Sequence, residues 1–81
     1  MKTNWNVIEM YFDNKDEANS AWLGIKRRYN GIQVATRTEE RTVATGTIRK
    51  TFVIVVYSKL VQTCYDLMFA EIANGCHIYT I

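Results

Sequence analysis

The 81-residue sequence has no proline. Breaks between its elements must therefore come from glycine, asparagine or aspartate, and glycine occurs only four times. Histidine occurs once and cysteine twice. His77 has no His, Cys or Asp partners at ligand spacing, which excludes the common metal motifs. Cys64 and Cys76 lack metal-like spacing and read as two free thiols. There is no recognisable Ser-His-Asp or Cys-His arrangement and no glycine-rich phosphate loop, so no catalytic, metal or cofactor residue is assigned. No segment approaches the ~18 consecutive apolar residues of a membrane span. The opening residues Met1 to Asn6 lack an apolar signal core and cleavage site. A cytoplasmic, non-membrane chain is expected. The net charge of +2 neither demands nor excludes a nucleic-acid partner.

What is present is enough for one small domain spanning 1–81. A chain of this length buries somewhat over ~60% of its unfolded surface and folds with little stability to spare. Its centre is Thr51 to Tyr57, in which Phe52 to Tyr57 are consecutively apolar. The run is short, β-branched and aromatic, as expected of a central strand with apolar side chains on both faces.

Asn6 to Phe12 alternates with the period of a strand. Ile8, Met10 and Phe12 share one side; Trp5, Val7, Glu9 and Tyr11 share the other. Asn14 then caps a helix, with Glu17 at capping-box spacing. Ala18, Ala21, Trp22, Ile25 and Tyr29 form its apolar stripe. Asp16 and Glu17 at its start and Lys26 to Arg28 near its end suit the helix dipole, and Asn30-Gly31 ends it.

Ile32 to Ala44 reads as an edge strand with a charged middle. Thr45-Gly46 is a hairpin tip, and a two-residue loop there sets Arg37 opposite Ile54. Ser58 caps a second helix with a broad stripe of Leu60, Val61, Cys64, Tyr65, Leu67, Met68 and Ile72. Asn74-Gly75 ends it, and Cys76 to Ile81 is the last strand.

This order resembles the ferredoxin-like split βαβ fold. The resemblance implies an α+β, βαββαβ two-layer sandwich, with a four-stranded antiparallel sheet and both helices on one face. The first and third strands would be central. The other face would then be bare. With the two-residue loop it carries Trp5, Val7, Tyr11, Phe52, Ile54 and Val56, with Glu9, Gln33 and Arg37 among them. A patch of that size favours a partner. Glu9 reads first as a rim or partner-paired carboxylate; the other reading is acid–base work, for which burial would raise its pKa.

Two further resemblances bear on the partner. Met10 to Asn14 is similar to the first-strand motif of the RNA-recognition motif family, with Tyr11 at the stacking position. Lys50, Phe52, Val55 and Tyr57 match parts of its third-strand motif, with Ile54 in place of the central ring. This implies single-stranded nucleic acid as the alternative partner, with phosphate contacts from arginines such as Arg27, Arg28, Arg41 and Arg49. Those of the hairpin would otherwise pair with Glu39 and Glu40. By size and lack of motifs the chain also resembles small phage accessory proteins, anti-CRISPR inhibitors among them. That implies a host-cell cytoplasm and inhibition by occlusion.

The expectation is a non-catalytic protein-binding module acting through the bare sheet face or the hairpin, on a foreign protein or a second copy. Trp5, Tyr11, Phe52 and Ile54 are the expected anchors, with Arg37, Glu39, Glu40 and Arg41 as polar specificity elements. A small dimeric enzyme with a pocket between helices and sheet is the third reading.

Overall fold

The computed structural model of the chain describes residues 4–71 and 73–81. The element order is β1 (Asn6–Phe12), α1 (Lys15–Arg28), β2 (Gln33–Thr42), β3 (Ile48–Ser58), α2 (Val61–Ala70) and β4 (Gly75–Thr80). The strands form one antiparallel sheet in the order β2-β3-β1-β4. The two apolar strands are therefore central, and the expected ferredoxin-like βαββαβ architecture is present.

Local chemistry explains most boundaries. The Asn14 side chain accepts hydrogen bonds from the backbone of Asp16 and Glu17 and starts α1. After the helix the chain turns at Gly31, whose φ of 72° favours a residue without a Cβ. The second helix departs from its expected ends. Ser58 remains in β3, and its hydroxyl accepts from the Leu60 N–H at 3.1 Å; Leu60 itself is the N-cap. The helix stops at Ala70, so Asn74-Gly75 is not its cap. Gly75 opens β4, and the Asn74 N–H donates to the Tyr11 carbonyl at 2.8 Å.

The decisive departure is the β2–β3 loop. Gly46, with φ 82°, donates its N–H to the Val43 carbonyl, and the Val43 N–H donates to Thr47. The connection is a three-residue loop, Ala44 to Gly46, with glycine at the left-handed position of a bulged turn. Arg37 thus pairs with Val53, not Ile54. A one-residue slip turns every side chain of a strand to the other face. Phe52, Ile54 and Val56 consequently pack towards the helices with Ile8, Met10, Phe12, Ala21, Ile25, Cys64 and Leu67. On the bare side a separate cluster forms from Val7, Val53 and Val55, flanked by Trp5, Tyr11, Tyr57 and Tyr79.

Beyond Phe12, whose β3 partner is Phe52, only β2 and β3 continue. They form an exposed two-stranded arm from Glu39 to Thr51, part of a molecule 47 × 27 × 18 Å in extent. Among the described residues no helix is long and apolar enough to cross a membrane.

Candidate interaction face

Glu9 is at the centre of the bare sheet face because β1 alternates and Glu9 is its one charged position. Its Oε1 accepts from Arg37 Nη2 at 2.6 Å and from the Tyr11 hydroxyl at 3.1 Å. Its Oε2 accepts from the Tyr79 hydroxyl at 2.5 Å. Arg37 Nε donates onward to Glu39 at 3.0 Å. Three strands thus converge on one carboxylate, with Val53 and Val55 of the fourth packed in the same layer.

The electrostatics follow from these bonds. The Tyr79 hydroxyl, then the Arg37 guanidinium, hold the Glu9 carboxyl below its ordinary range, against the upward push of burial. Glu9 is therefore an ionised acceptor, opposite to the raised pKa expected of a buried acid. The bond to Glu9 pushes Tyr79 up to about 12. Burial, then Glu9, raises Tyr11, and both tyrosines remain protonated donors. Arg37 is likewise raised by Glu9 and Glu39.

Around this hub the valines are covered by aromatic rings. Val7, Val53 and Val55 are 0%, 1% and 4% exposed, whereas Trp5, Tyr11, Tyr57 and Tyr79 are half-buried. Lys59 Nζ lies 3.9 Å from the centre of the Trp5 ring, and the rings of His77 and Tyr79 are 5.2 Å apart. The face is amphipathic: rings and polar tips are outermost, and aliphatic groups lie beneath.

Of the expected anchors, Trp5 and Tyr11 are on this face. Phe52 and Ile54 are not: Ile54 is 1% exposed in the helix-side core and Phe52 packs against it. Tyr57 and Tyr79 take their places, residues that no anchor assignment included. Nothing local marks Tyr57, because the face it takes depends on the hairpin register. Arg37, Glu39 and Arg41 share the bare side. Glu40 alternates to the helix side, 3.8 Å from Lys50 Nζ. The third-strand likeness to RNA-binding motifs does not carry over, because its stacking positions, Phe52 and Ile54, face the core.

The helix side differs from expectation too. Only Thr63, Cys64 and Leu67 of α2 are buried. Leu60, Val61 and Tyr65, expected in the stripe, are exposed, and Phe69 is 82% exposed. Ile72 of that stripe lies outside the described residues. Cys64 is buried, which pushes its thiol pKa up, and Cys76 is exposed; neither is in a disulfide. Between α1 and the end of α2 runs an open groove of about 650 Å³ over Phe12, Ala21 and Gly24, closed at one end by the Arg28–Glu71 ion pair. Among the described residues no three His, Cys, Asp or Glu side chains group as metal ligands would.

No family model matches the chain, and no curated protein matches it. Among solved structures it is similar to the periplasmic divalent cation tolerance protein CutA from Archaeoglobus fulgidus. The identity is 14%, the coverage is 95% of this chain and 81% of that one, and the TM-score is 0.50. A DUF3240 family protein from Shewanella baltica OS155 is similar at 10% identity over 100% and 90% of the two chains, with a TM-score of 0.41. The CutA likeness shows the fold alone; a shared fold of this kind hosts many unrelated activities. The chain has the ferredoxin-like α+β fold.

Proposed function

We propose that the chain is a non-catalytic protein-binding module that docks through the bare face of its sheet. The observation that carries this reading is the half-buried set Trp5, Tyr11, Tyr57 and Tyr79, arranged with Arg37 around the Glu9 carboxylate. Trp, Tyr and Arg are the residue types that dominate binding energy in protein interfaces. The hydroxyls of Tyr11 and Tyr79 and the Arg37 guanidinium are tied down, so these three side chains have little entropy left to lose on docking. Because the valines beneath are already covered, the face suits a partner that comes and goes better than a permanent second copy, whose interface would resemble a bisected core.

The effect on the partner is occlusion of its own surface. That is the mode of the small phage inhibitors, anti-CRISPR proteins among them, that the chain resembles by size. A photo-reactive phenylalanine analogue at Tyr57, introduced in the cell of origin, tests the docking. The expected result is a discrete adduct whose added mass differs from that of the chain. An adduct of twice the chain mass assigns the face to self-association, and an adduct with nucleic acid assigns it to the RNA or single-stranded DNA alternative. Either would overturn the reading, as would the absence of any adduct.

A further inference from the structure

Arg41 and Arg49 stand directly opposite each other in the hairpin register. By strand alternation both point to the bare side of the sheet, with Arg37 and Val53. Like charges directly opposed across two strands repel. Blunting the arm against aggregation needs charge, but not two cations face to face. The nearby carboxylates do not relieve the pair. Glu39 is held by Arg37 Nε, Glu40 is paired with Lys50 at 3.8 Å, and Glu9 is filled by Arg37, Tyr11 and Tyr79. Among the described residues neither Arg41 nor Arg49 belongs to an ion pair. Together with Tyr11, Thr51, Glu39 and Glu40 they line a groove of about 610 Å³ where the arm leaves the sheet; its two carboxylates already face Arg37 and Lys50, which leaves the Arg41 and Arg49 guanidinium groups as its unmatched charges.

We propose that Arg41 and Arg49 form a clamp for one carboxylate of a protein partner, with the partner's adjoining apolar group resting on Tyr11. The inference rests on the docking-face reading and names what the partner brings to it. Two guanidinium forks match the flat, two-oxygen geometry of a carboxylate. A nucleic-acid strand fits less well. It carries a charge at every nucleotide, and its path from the clamp towards the aromatic rings would cross Glu39 and Glu9.

Titration of the full chain with the peptide acetyl-Glu-Leu-Glu-Leu-amide, followed by NMR of backbone amides and arginine Nε groups, tests the clamp without the natural partner. The expected result is saturable shifts centred on Arg41, Arg49, Thr51 and Tyr11. Arg49→Gln, or glutamine in place of the peptide's glutamates, weakens binding about fivefold or more. Shifts elsewhere, or no loss in Arg49→Gln, overturn the proposal. So does tighter binding of a twelve-residue oligothymidylate than of the peptide. Thermal unfolding supplies a second reading. Arg49→Gln leaves the melting temperature unchanged or higher, because it removes a repulsion; a clear drop would make the pair structural and overturn the clamp. Failure of this titration leaves the Tyr57 cross-link untouched, so the two readings fail separately.

Discussion

The hydroxyl of Tyr79 on β4 donates a 2.5 Å hydrogen bond to Glu9 on β1, joining residues 70 positions apart. The same carboxylate reaches Arg37 on β2, over the valines of β3. One side chain therefore ties both edge strands to the centre of the sheet on the face that no helix covers. This arrangement holds the rings of Tyr11 and Tyr79.

Removing the charge of Glu9 tests that role. Its folded pKa lies below its ordinary value of 4.5, so its contribution is complete above that pH. The contribution is lost as pH falls through the lower folded value. Glu9→Gln should cost about 1–3 kcal/mol at pH 7. Below pH 4.5 the wild-type chain should lose stability more steeply than Glu9→Gln, so that the two converge. Urea unfolding of both proteins across pH 2 to 7 measures the difference; parallel pH profiles would remove Glu9 from the hub.

Buried and exposed apolar side chains on the helix side should respond differently to truncation. Ile54 is 1% exposed among helix-side residues, and Ile54→Ala should cost about 2–5 kcal/mol. Phe69 is 82% exposed, and Phe69→Ser should change stability by no more than about 0.5 kcal/mol. Chemical denaturation of the two variants separates these outcomes.

Gly24 is a helical glycine that nothing crowds. A Cβ built there meets no atom within 4 Å, and the position faces the open groove beside α2. Gly24→Ala should stabilise the chain by about 0.5–1 kcal/mol. For a domain of this size that raises the melting temperature by roughly 4–8 °C per kcal/mol. Calorimetry checks it, and a lower melting temperature would mean that something does pack against α1 at that point.

The element order was legible in the sequence because each break carries its own chemistry: Asn14 at a helix start, Gly31 and Gly46 at turns. The faces of β1 were legible because Glu9 interrupts an apolar strand and marks its outer side. The faces of β3 were not, because Phe52 to Tyr57 is apolar without interruption and has no alternation to read. Its orientation depended on the loop length alone. A glycine at position 46 serves either a two-residue turn or the three-residue bulged turn that forms, and that one residue exchanged Ile54 for Val53 on the outer face. The hub itself left no local trace, since Glu9, Arg37 and Tyr79 are distant in sequence and meet only through the register. The α2 stripe is narrower than expected because Val61 and Tyr65 fall on the exposed side of the helix and Leu60 is its N-cap.

The docking claim is tested most directly by comparing Tyr57→Glu with Phe69→Glu, both folded by circular dichroism, for affinity towards the protein captured at position 57. The account predicts that Tyr57→Glu weakens the complex by about a hundredfold, of the order of a lost hot-spot residue, while Phe69→Glu binds as the wild type does. Full affinity in Tyr57→Glu with loss in Phe69→Glu would move the interface to α2 and contradict the account.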